Sequence, residues 1–457
     1  MNTSFIDERR ITEVLQEARP PQNTRLRDIL ERAETLSGLG LVDTADLLMA
    51  TGEDRLQIME AAGRIKRKVY GDRVVIFAPL YLHNECINNC LYCSFRQDNE
   101  EAVRRNLTPQ EAVDEARALA ARGHRRLLLV CGEHPRLSSA ACIAETAQAI
   151  YAGADIRRLH VNAAPLSVDD FRTLQEAGIG VFQVFQETYH RKTYAAMHPS
   201  GRKADYNWRV TAMDRAMAAG IGDVGMGVLF GLYDHKFEIL ALLQHSAHLR
   251  ETFGVGAHTV SVPRLRPAAG AILQRAPYPV DDEQFQLVVA VLRLALPYAG
   301  IVLTTREAPG MRDELLAAGV SQISAGSSTS PGGYLDKDRE IAAVDQFKVY
   351  DNRSLKKVLK AVCNKGYIPS FCTACYRKER TGAGFYHIAG RGELEKLCLP
   401  NALLTFKEYL QAENGQLKEQ GEEIIHKALN DINDKHMRKQ VKDRLARIEQ
   451  GERDILF

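Results

Sequence analysis

Eight short apolar runs rich in β-branched residues recur between Arg73 and Ser327, with helix-period segments between them. The runs are Arg73 to Leu82, Arg125 to Glu133, Arg157 to Pro165, Gly180 to Tyr189, Asp223 to Leu232, His258 to Pro263, Ala299 to Arg306 and Gln322 to Ser327. Helical segments between them include Pro109 to Arg122, Ser138 to Ala152, Val168 to Ala177, Trp208 to Ala219, Phe237 to Thr252, Asp281 to Leu296 and Met311 to Ala318. Parallel neighbours need a crossover of a dozen or more residues, so this alternation is the signature of a parallel sheet with helical connections. Eight strands is the number at which such a sheet closes on itself. The pattern predicts an α/β fold with a complete (β/α)8 TIM-type barrel over residues 73–335. Helical segments stop at Gly123, Gly178, Gly220 and Gly319, the residue type favoured just past a helix C-terminus.

Residues 1–72 read as an N-terminal helical extension, with helix-period apolar positions over Ile11 to Ala18, Arg25 to Ser37, Thr44 to Met49 and Glu53 to Tyr70. After Gly333 the alternation stops. Residues 336–457 read as a mostly helical C-terminal domain, with helices at Leu355 to Asn364 and Leu403 to Glu413 around a cysteine-bearing segment. The tail from Leu417, rich in Lys, Glu and Arg at helical spacing, reads as a solvated helix pair.

Lys and Arg number 60 against 58 Asp and Glu. That near balance gives no electrostatic case for nucleic acid or a membrane as partner, and points to a small substrate. The N-terminal stretch MNTSFIDERRITEVLQEARP carries charges throughout and lacks a signal peptide's apolar region, and no run of about eighteen apolar residues follows. Nine cysteines, unevenly spread, do not form the framework of a disulfide-stapled domain. A reducing cytoplasm is the expected location.

Three of those cysteines, Cys86, Cys90 and Cys93, stand in LHNECINNCLYCSF directly after the first strand run, spaced C-x3-C-x2-C. Three thiolates on one tight loop can hold three irons of a four-iron cluster and leave the fourth open to a ligand. Zinc is the alternative, but it wants four ligands and no fourth lies nearby. The motif, with the aromatic Tyr92 before its last cysteine, resembles the radical S-adenosylmethionine (radical SAM) superfamily. That resemblance implies a [4Fe-4S] cluster whose open iron binds SAM, and a one-electron cleavage giving a 5'-deoxyadenosyl radical. Glu85 before Cys86 and Ser94 after Cys93 depart from the family pattern, which bears on the cluster's potential more than on its existence.

Functional groups of such barrels collect at the C-terminal ends of strands. The second run ends at Cys131-Gly132-Glu133-His134-Pro135, where Gly132 permits close backbone approach and Glu133 can accept from an ammonium group. This resembles the Gly-Glu segment that holds the SAM amino group in the superfamily. Glu187, closing the fourth run, suits the ribose diol, and Arg209 suits the SAM carboxylate as a bidentate partner. Both equally suit an ordinary ion pair. Asn162, after the third run, is a further candidate for SAM contact.

Cys372, Cys375 and Cys398 form a second triad, with two residues and then twenty-two between them. On spacing alone, zinc and an iron-sulfur cluster fit equally. Together with the first motif, the phrases GVLFGLYD, HTVSVPRLRP, VSQISAGSSTSPGGY and PSFCTACYR resemble the HydG family of [FeFe]-hydrogenase maturases, which are tyrosine lyases, over roughly Asp72 to Tyr409. The resemblance implies cleavage of L-tyrosine to p-cresol and dehydroglycine, and breakdown of dehydroglycine to CO and cyanide at an auxiliary [4Fe-4S] cluster carrying a labile fifth iron. The product is an Fe(CO)2(CN) unit. His258, at the start of the sixth run and so at the bottom mouth, maps onto the histidine ligand of that iron; a satisfied histidine at a strand entrance is the plain alternative.

The same resemblance implies an electron donor such as ferredoxin or flavodoxin, a scaffold protein for hydrogenase maturation, and the barrel interior as a conduit between the clusters. A tyrosine carboxylate needs an anchor. Arg306, ending the seventh run, is the candidate, with Ser324 and Ser327 supplying hydroxyls; Arg264 and Arg266 suit the role by chemistry too. Cys131, Cys142 and Cys363 fall outside both triads and read as core packing. Two other functions stay open: a thiamine-type lyase making only 2-iminoacetate, and a zinc-stabilised binding protein.

Overall fold

The computed structural model describes residues 3–335, 344–390 and 394–457; the domain boundary expected at 336 lies outside them. All eight runs form parallel strands: β1 (Arg73–His83), β2 (Arg126–Cys131), β3 (Arg158–Asn162), β4 (Phe182–Gln183), β5 (Val224–Gly227), β6 (Thr259–Ser261), β7 (Gly300–Leu303) and β8 (Gln322–Ser324). Each pairs with its neighbour in chain order, and β1 closes the ring against both β8 and β2. The registers Phe77 with Ser324 and Ala78 with Leu127 fix that closure. The fold is the expected (β/α)8 barrel, with helices before and after it.

A ninth strand, β9 (Ile368–Ser370), is not announced by the sequence pattern. It lies parallel to the first residues of β1, Arg73 opposite Ile368 and Val75 opposite Ser370. Its central Pro369 lacks an N–H, which suits a strand that ends the sheet. Through β9 the C-terminal segment joins the bottom of the barrel rather than hanging from it.

Four helices, Glu8–Glu17, Asn23–Glu34, Leu41–Leu47 and Gly52–Tyr70, precede the barrel. The segment read as one helix over Trp208 to Ala219 is two, Tyr206–Val210 and Ala212–Ala218, broken at Thr211. The Thr211 hydroxyl donates to the Asn207 carbonyl at 2.7 Å, a back-bond that bends helices. Among the described residues the C-terminal part carries helices Leu355–Asn364, Ala374–Arg377, Ala383–Gly390, Leu394–Gln411, Gln416–Asn430 and Lys435–Glu449. Arg157 at the foot of β3 pairs with Glu408 and, at 3.3 Å, with Asp454, tying this part to the barrel. No helix among the described residues is long and apolar enough to cross a membrane.

Side chains alternate along a strand, so the cavity-lining Phe77, Pro79 and Tyr81 on β1, Leu128 and Val130 on β2, and Asn162 on β3 set the inward phase. The same phase turns Arg73, Arg126, Arg158 and His160 inward at the bottom. Between the two ends stand Gln183, Thr259, Ser261, Gln322 and Ser324, with glycines at 225, 227 and 300. Gln183 Nε2 donates to Ser261 Oγ at 2.9 Å. Barrels of this type usually fill that space with branched aliphatics. Here the apolar core lies outside the sheet instead, where Val74, Ile76, Ala78 and Leu80 of β1 are fully buried against the helices. Each buried Val, Ile or Leu there contributes roughly 1.5–3 kcal/mol.

Candidate active site

The loop after β1 is pinned to the barrel top by its backbone. Ile87 N donates to Glu133 O at 2.8 Å and Leu91 N to Met197 O at 3.1 Å. At Gly132 a Cβ would stand 2.2 Å from the Glu85 carbonyl oxygen, so only glycine lets the two strand-end loops approach this closely. Cys86, Cys90 and Cys93 all line one cavity of about 180 Å³ at the upper mouth, together with Glu133, Asn162, Glu187, Arg209, Arg306 and Ser324. Burial pushes the Cys90 thiol up and the Cys93 thiol up to about 12. A bound metal would have to displace those protons.

Two residues that the sequence does not single out organise this mouth. Asn88, between the first two cysteines, donates from Nδ2 to the Glu133 carboxylate at 2.7 Å and accepts at Oδ1 from Lys203 N at 2.8 Å. Lys203 Nζ in turn meets Glu187 Oε1 at 2.6 Å, and Arg209 Nη2 reaches the same oxygen at 3.4 Å. Burial would raise the Glu187 carboxyl, but Lys203 and Arg209 outweigh it and hold it below the usual range. Glu187 also sits at φ 70, a backbone conformation that costs a non-glycine residue energy and clusters at functional sites. Both cations take Oε1, which leaves Oε2 for a ligand. Arg209 spends Nε on the Phe185 carbonyl at 2.7 Å, so it offers a carboxylate one free arm, Nη1, rather than a bidentate fork.

Arg264 and Arg266 are committed elsewhere: Arg264 Nε meets Glu307 Oε1 at 3.0 Å and Arg266 Nη2 meets Oε2 at 2.6 Å. Arg306 has no carboxylate partner among the described residues, and its guanidinium lies 3.4 Å from the centroid of the Phe347 ring. Ser324 Oγ is buried with no hydrogen-bond partner among the described residues. Ser327 is not brought to this mouth. Its position after β8 carries it to a separate cavity outside the barrel, beside His124 and Ser354. Of the three remaining cysteines, Cys363 is buried and Cys131 half-buried, whereas Cys142 is exposed on an outer helix and packs in no core.

At the opposite mouth, β9 delivers Cys372 two residues past its end. Cys375 follows on the short helix Ala374–Arg377, and Cys398 comes from Leu394–Gln411. The three thiols and the inward Arg73 are close enough to perturb one another: burial raises Cys372 to about 11 and Cys375 to about 12, and Arg73 opposes both shifts. Among the described residues no three His, Cys, Asp or Glu side chains converge as the ligands of one tetrahedral ion would. A cuboidal cluster asks for a wider spread, one thiolate per iron. His258, one residue before β6, stands at this same mouth, its Nε2 3.3 Å from the Tyr376 hydroxyl and its Nδ1 3.4 Å from the Asp223 carboxylate without a hydrogen bond. Arg126 Nε donates to His160 Nε2 at 2.5 Å and its Nη2 to the Tyr376 hydroxyl at 3.2 Å. His258 and the second triad are therefore neighbours, linked through Tyr376.

Residues 80–244 match the Radical SAM superfamily, and residues 261–368 match the Biotin and Thiamin Synthesis associated domain. Over 342 residues the chain is 33% identical to the 2-iminoacetate synthase of Escherichia coli (strain K12), a match covering 74% of this chain and 89% of that protein. Fold, cysteine loop and sequence together make this a radical SAM enzyme, a class that implies a [4Fe-4S] cluster and SAM at the upper mouth. A crystal structure of HydG, a maturase of the [FeFe]-hydrogenase, superposes with TM-score 0.95 at 45% identity over 100% of both chains. The HydG of Carboxydothermus hydrogenoformans gives TM-score 0.85 at 38% identity, over 97% of this chain and 99% of that one. The chain belongs to the HydG family of [FeFe]-hydrogenase maturases, within the radical SAM superfamily.

Proposed function

We propose that this chain cleaves the Cα–Cβ bond of L-tyrosine for assembly of the [FeFe]-hydrogenase active site. Its first products are p-cresol and dehydroglycine; dehydroglycine then gives CO and cyanide at the lower mouth, and these leave on iron as an Fe(CO)2(CN) unit. One observation carries the reading: two cysteine triads stand at opposite mouths of one barrel whose interior is small and polar. A lyase that stopped at the first cleavage would have no chemical use for the second triad.

When bound, the cluster and SAM supply a radical able to take a hydrogen atom from the tyrosine amino group. The chain's own residues orient the reactants. Cys86, Cys90 and Cys93 hold three irons, Glu133 accepts from the SAM ammonium, Glu187 Oε2 and Asn162 take ribose hydroxyls, and the free Nη1 of Arg209 takes the SAM carboxylate. Arg306 anchors the tyrosine carboxylate, being the cavity-lining guanidinium without a carboxylate partner among the described residues. Ser324 lines the same cavity and offers a hydroxyl without a partner among the described residues.

At the lower mouth Cys372, Cys375 and Cys398 hold an auxiliary [4Fe-4S] cluster, and His258 holds the iron that leaves as cargo. Arg73 and Arg126 offset the anionic charge collected there. A ferredoxin or flavodoxin supplies electrons, and a maturation scaffold protein receives the product.

The test is an anaerobic incubation with tyrosine and SAM in which p-cresol, CO and cyanide are read from one sample. All three are expected. The 33% identity to a 2-iminoacetate synthase supports a second reading in which the chain stops at dehydroglycine. Appearance of p-cresol without either diatomic would select that reading and end the first.

A further inference from the structure

Outside the catalytic cavity, the first turn of the helix His235–Phe253 carries a carboxyl, Glu238, that is 1% exposed and meets the segment following β4. We propose that Glu238 is a positioning residue for SAM: through Thr188 and Tyr189 it holds Glu187 in the conformation that leaves Oε2 free for the ribose. The proposal rests on the reading of Glu187 as a SAM contact and goes beyond it by naming what aims that carboxylate.

The chain after β4 runs beside β5 as far as Glu187. Val184 N donates to Gly225 O at 3.1 Å, Gln186 N to Gly227 O at 3.0 Å, and Leu229 N returns to Glu187 O at 2.8 Å. The ladder stops there. Glu187 is at φ 70, a left-handed conformation that costs a residue with a Cβ energy and persists only where the surroundings hold it. The next two residues, Thr188 and Tyr189, are fully buried, and Glu238 meets both. Its Oε1 accepts from the Thr188 hydroxyl and its Oε2 from Tyr189 N at 2.8 Å. Thr188 Oγ1 in turn accepts from His190 N at 3.2 Å. One carboxyl therefore satisfies two consecutive backbone donors, one directly and one through a hydroxyl, and Tyr189 N meets no other acceptor among the described residues.

Helix capping does not explain this residue. Asp234 caps the helix by accepting from Lys236 N, and Glu238 lies one position past the third, from which a capping-box carboxylate turns back. Nor does an ion pair: no Lys, Arg or His forms one with it among the described residues, and burial pushes its carboxyl up to about 8 against the two hydrogen bonds. Its helical neighbours Ile239, Leu240, Ala241 and Leu242 are fully buried apolar side chains, and a leucine at 238 would avoid the cost of burying a carboxyl. What an apolar residue could not supply is the pair of acceptors beside Glu187. Lys203 and Arg209 hold the tip of the Glu187 side chain by Oε1, and Glu238 holds the backbone at its base. A binding group must be kept within about 0.5 Å of its productive place, so a shift of the base alone would carry Oε2 away from the ribose.

SAM titration of the full-length, cluster-loaded protein under anaerobic conditions tests this, with affinity read by calorimetry and by the change that SAM makes in the electron paramagnetic resonance signal of the reduced cluster. Glu238→Leu should weaken SAM binding by about tenfold, because Tyr189 N is left without an acceptor. Thr188→Val should weaken it by roughly two- to tenfold. Glu238→Gln should stay within about threefold of wild type, since its carboxamide can accept from Tyr189 N and donate to Thr188 Oγ1. In all three, iron and sulfide per chain and the signal recorded without SAM should match the wild type. Melting temperatures verify folding, and Thr188→Val alone decides if Glu238→Leu does not fold. Glu187→Ala is the reference and should weaken SAM binding by about tenfold or more. Wild-type affinity in a folded Glu238→Leu or Thr188→Val, or equal losses in Glu238→Gln and Glu238→Leu, would overturn the proposal and leave Glu187 as a SAM contact. Wild-type affinity in Glu187→Ala would overturn both.

Discussion

Asn88 bridges the cysteine loop to both carboxylates of the upper mouth: it donates directly to Glu133 at 2.7 Å and accepts from the backbone of Lys203, whose ammonium holds Glu187 at 2.6 Å. All of these groups are buried or nearly so. Asn88→Ala would leave Glu133 short of a donor, at a cost of about 1–3 kcal/mol. The three cysteines themselves stay in place, although Cys86 Sγ loses the Asn88 Nδ2 contact at 3.6 Å, so iron and sulfide per chain should stay near the wild-type level while SAM affinity falls. Equal SAM affinity in the two proteins would show that Asn88 does not position Glu133.

Gly132→Ala tests the contact between the two strand-end loops from the other side. The added methyl meets the Glu85 carbonyl at 2.2 Å and lies 3.2 Å from Cys86 Cβ. Backbone cannot yield as a flexible side chain would, so an overpacking cost of about 1–3 kcal/mol is expected, with Cys86 displaced. Reconstituted iron at the first triad should drop, and the electron paramagnetic resonance signal of the reduced cluster should broaden or vanish. Full iron content with an unaltered signal would refute the close-approach argument.

Glu187 makes a prediction about pH. Its carboxyl is held below the ordinary range, since Lys203 and Arg209 overcome the effect of burial. The stability it contributes is therefore present above the unfolded carboxylate pKa and lost as pH falls through the lowered native value. Glu187→Gln leaves Lys203 and Arg209 with an uncompensated buried charge, a loss of about 3–5 kcal/mol at neutral pH. Urea denaturation of the metal-free chain should show that deficit at pH 7 and a smaller one at pH 3. A deficit of the same size at both would mean that the pair contributes through packing alone.

The barrel was legible because its outer faces obey ordinary rules: eight β-branched runs and glycine-terminated helices fix strand number and order before any contact is known. β9 was not, because three residues containing a proline carry no strand signal and form one only against the start of β1. At the site, residues next to a motif were readable and residues brought in by the return of the chain were not. Lys203 lies 113 positions after Cys90, in a segment whose local pattern is only turn and short helix, and no spacing rule reaches it. Asn88 did carry a signal, as a polar side chain inside the cysteine motif itself. Ser327 misled because hydroxyls after a strand end look alike in sequence, although one turn of loop separates the inner cavity at Ser324 from the outer one.

The lower mouth yields the prediction that most directly separates the two halves of the chemistry. Cys372, Cys375 and Cys398 lie below the barrel, so Cys372→Ala with Cys375→Ala should leave the upper cavity and its three cysteines intact. 5'-Deoxyadenosine and p-cresol should form within about twofold of the wild-type rate, a change worth less than about 0.5 kcal/mol in barrier, while CO falls below detection. His258→Ala should behave differently. Its ring packs on Phe385 at 4.9 Å and faces Asp223, so its removal spares all three thiols yet withdraws the ligand proposed for the cargo iron. Iron per chain should then fall by about one relative to wild type, with sulfide unchanged. Loss of p-cresol in the double cysteine variant would assign the second triad to folding, and unchanged iron in His258→Ala would leave that histidine as a satisfied side chain at a strand entrance.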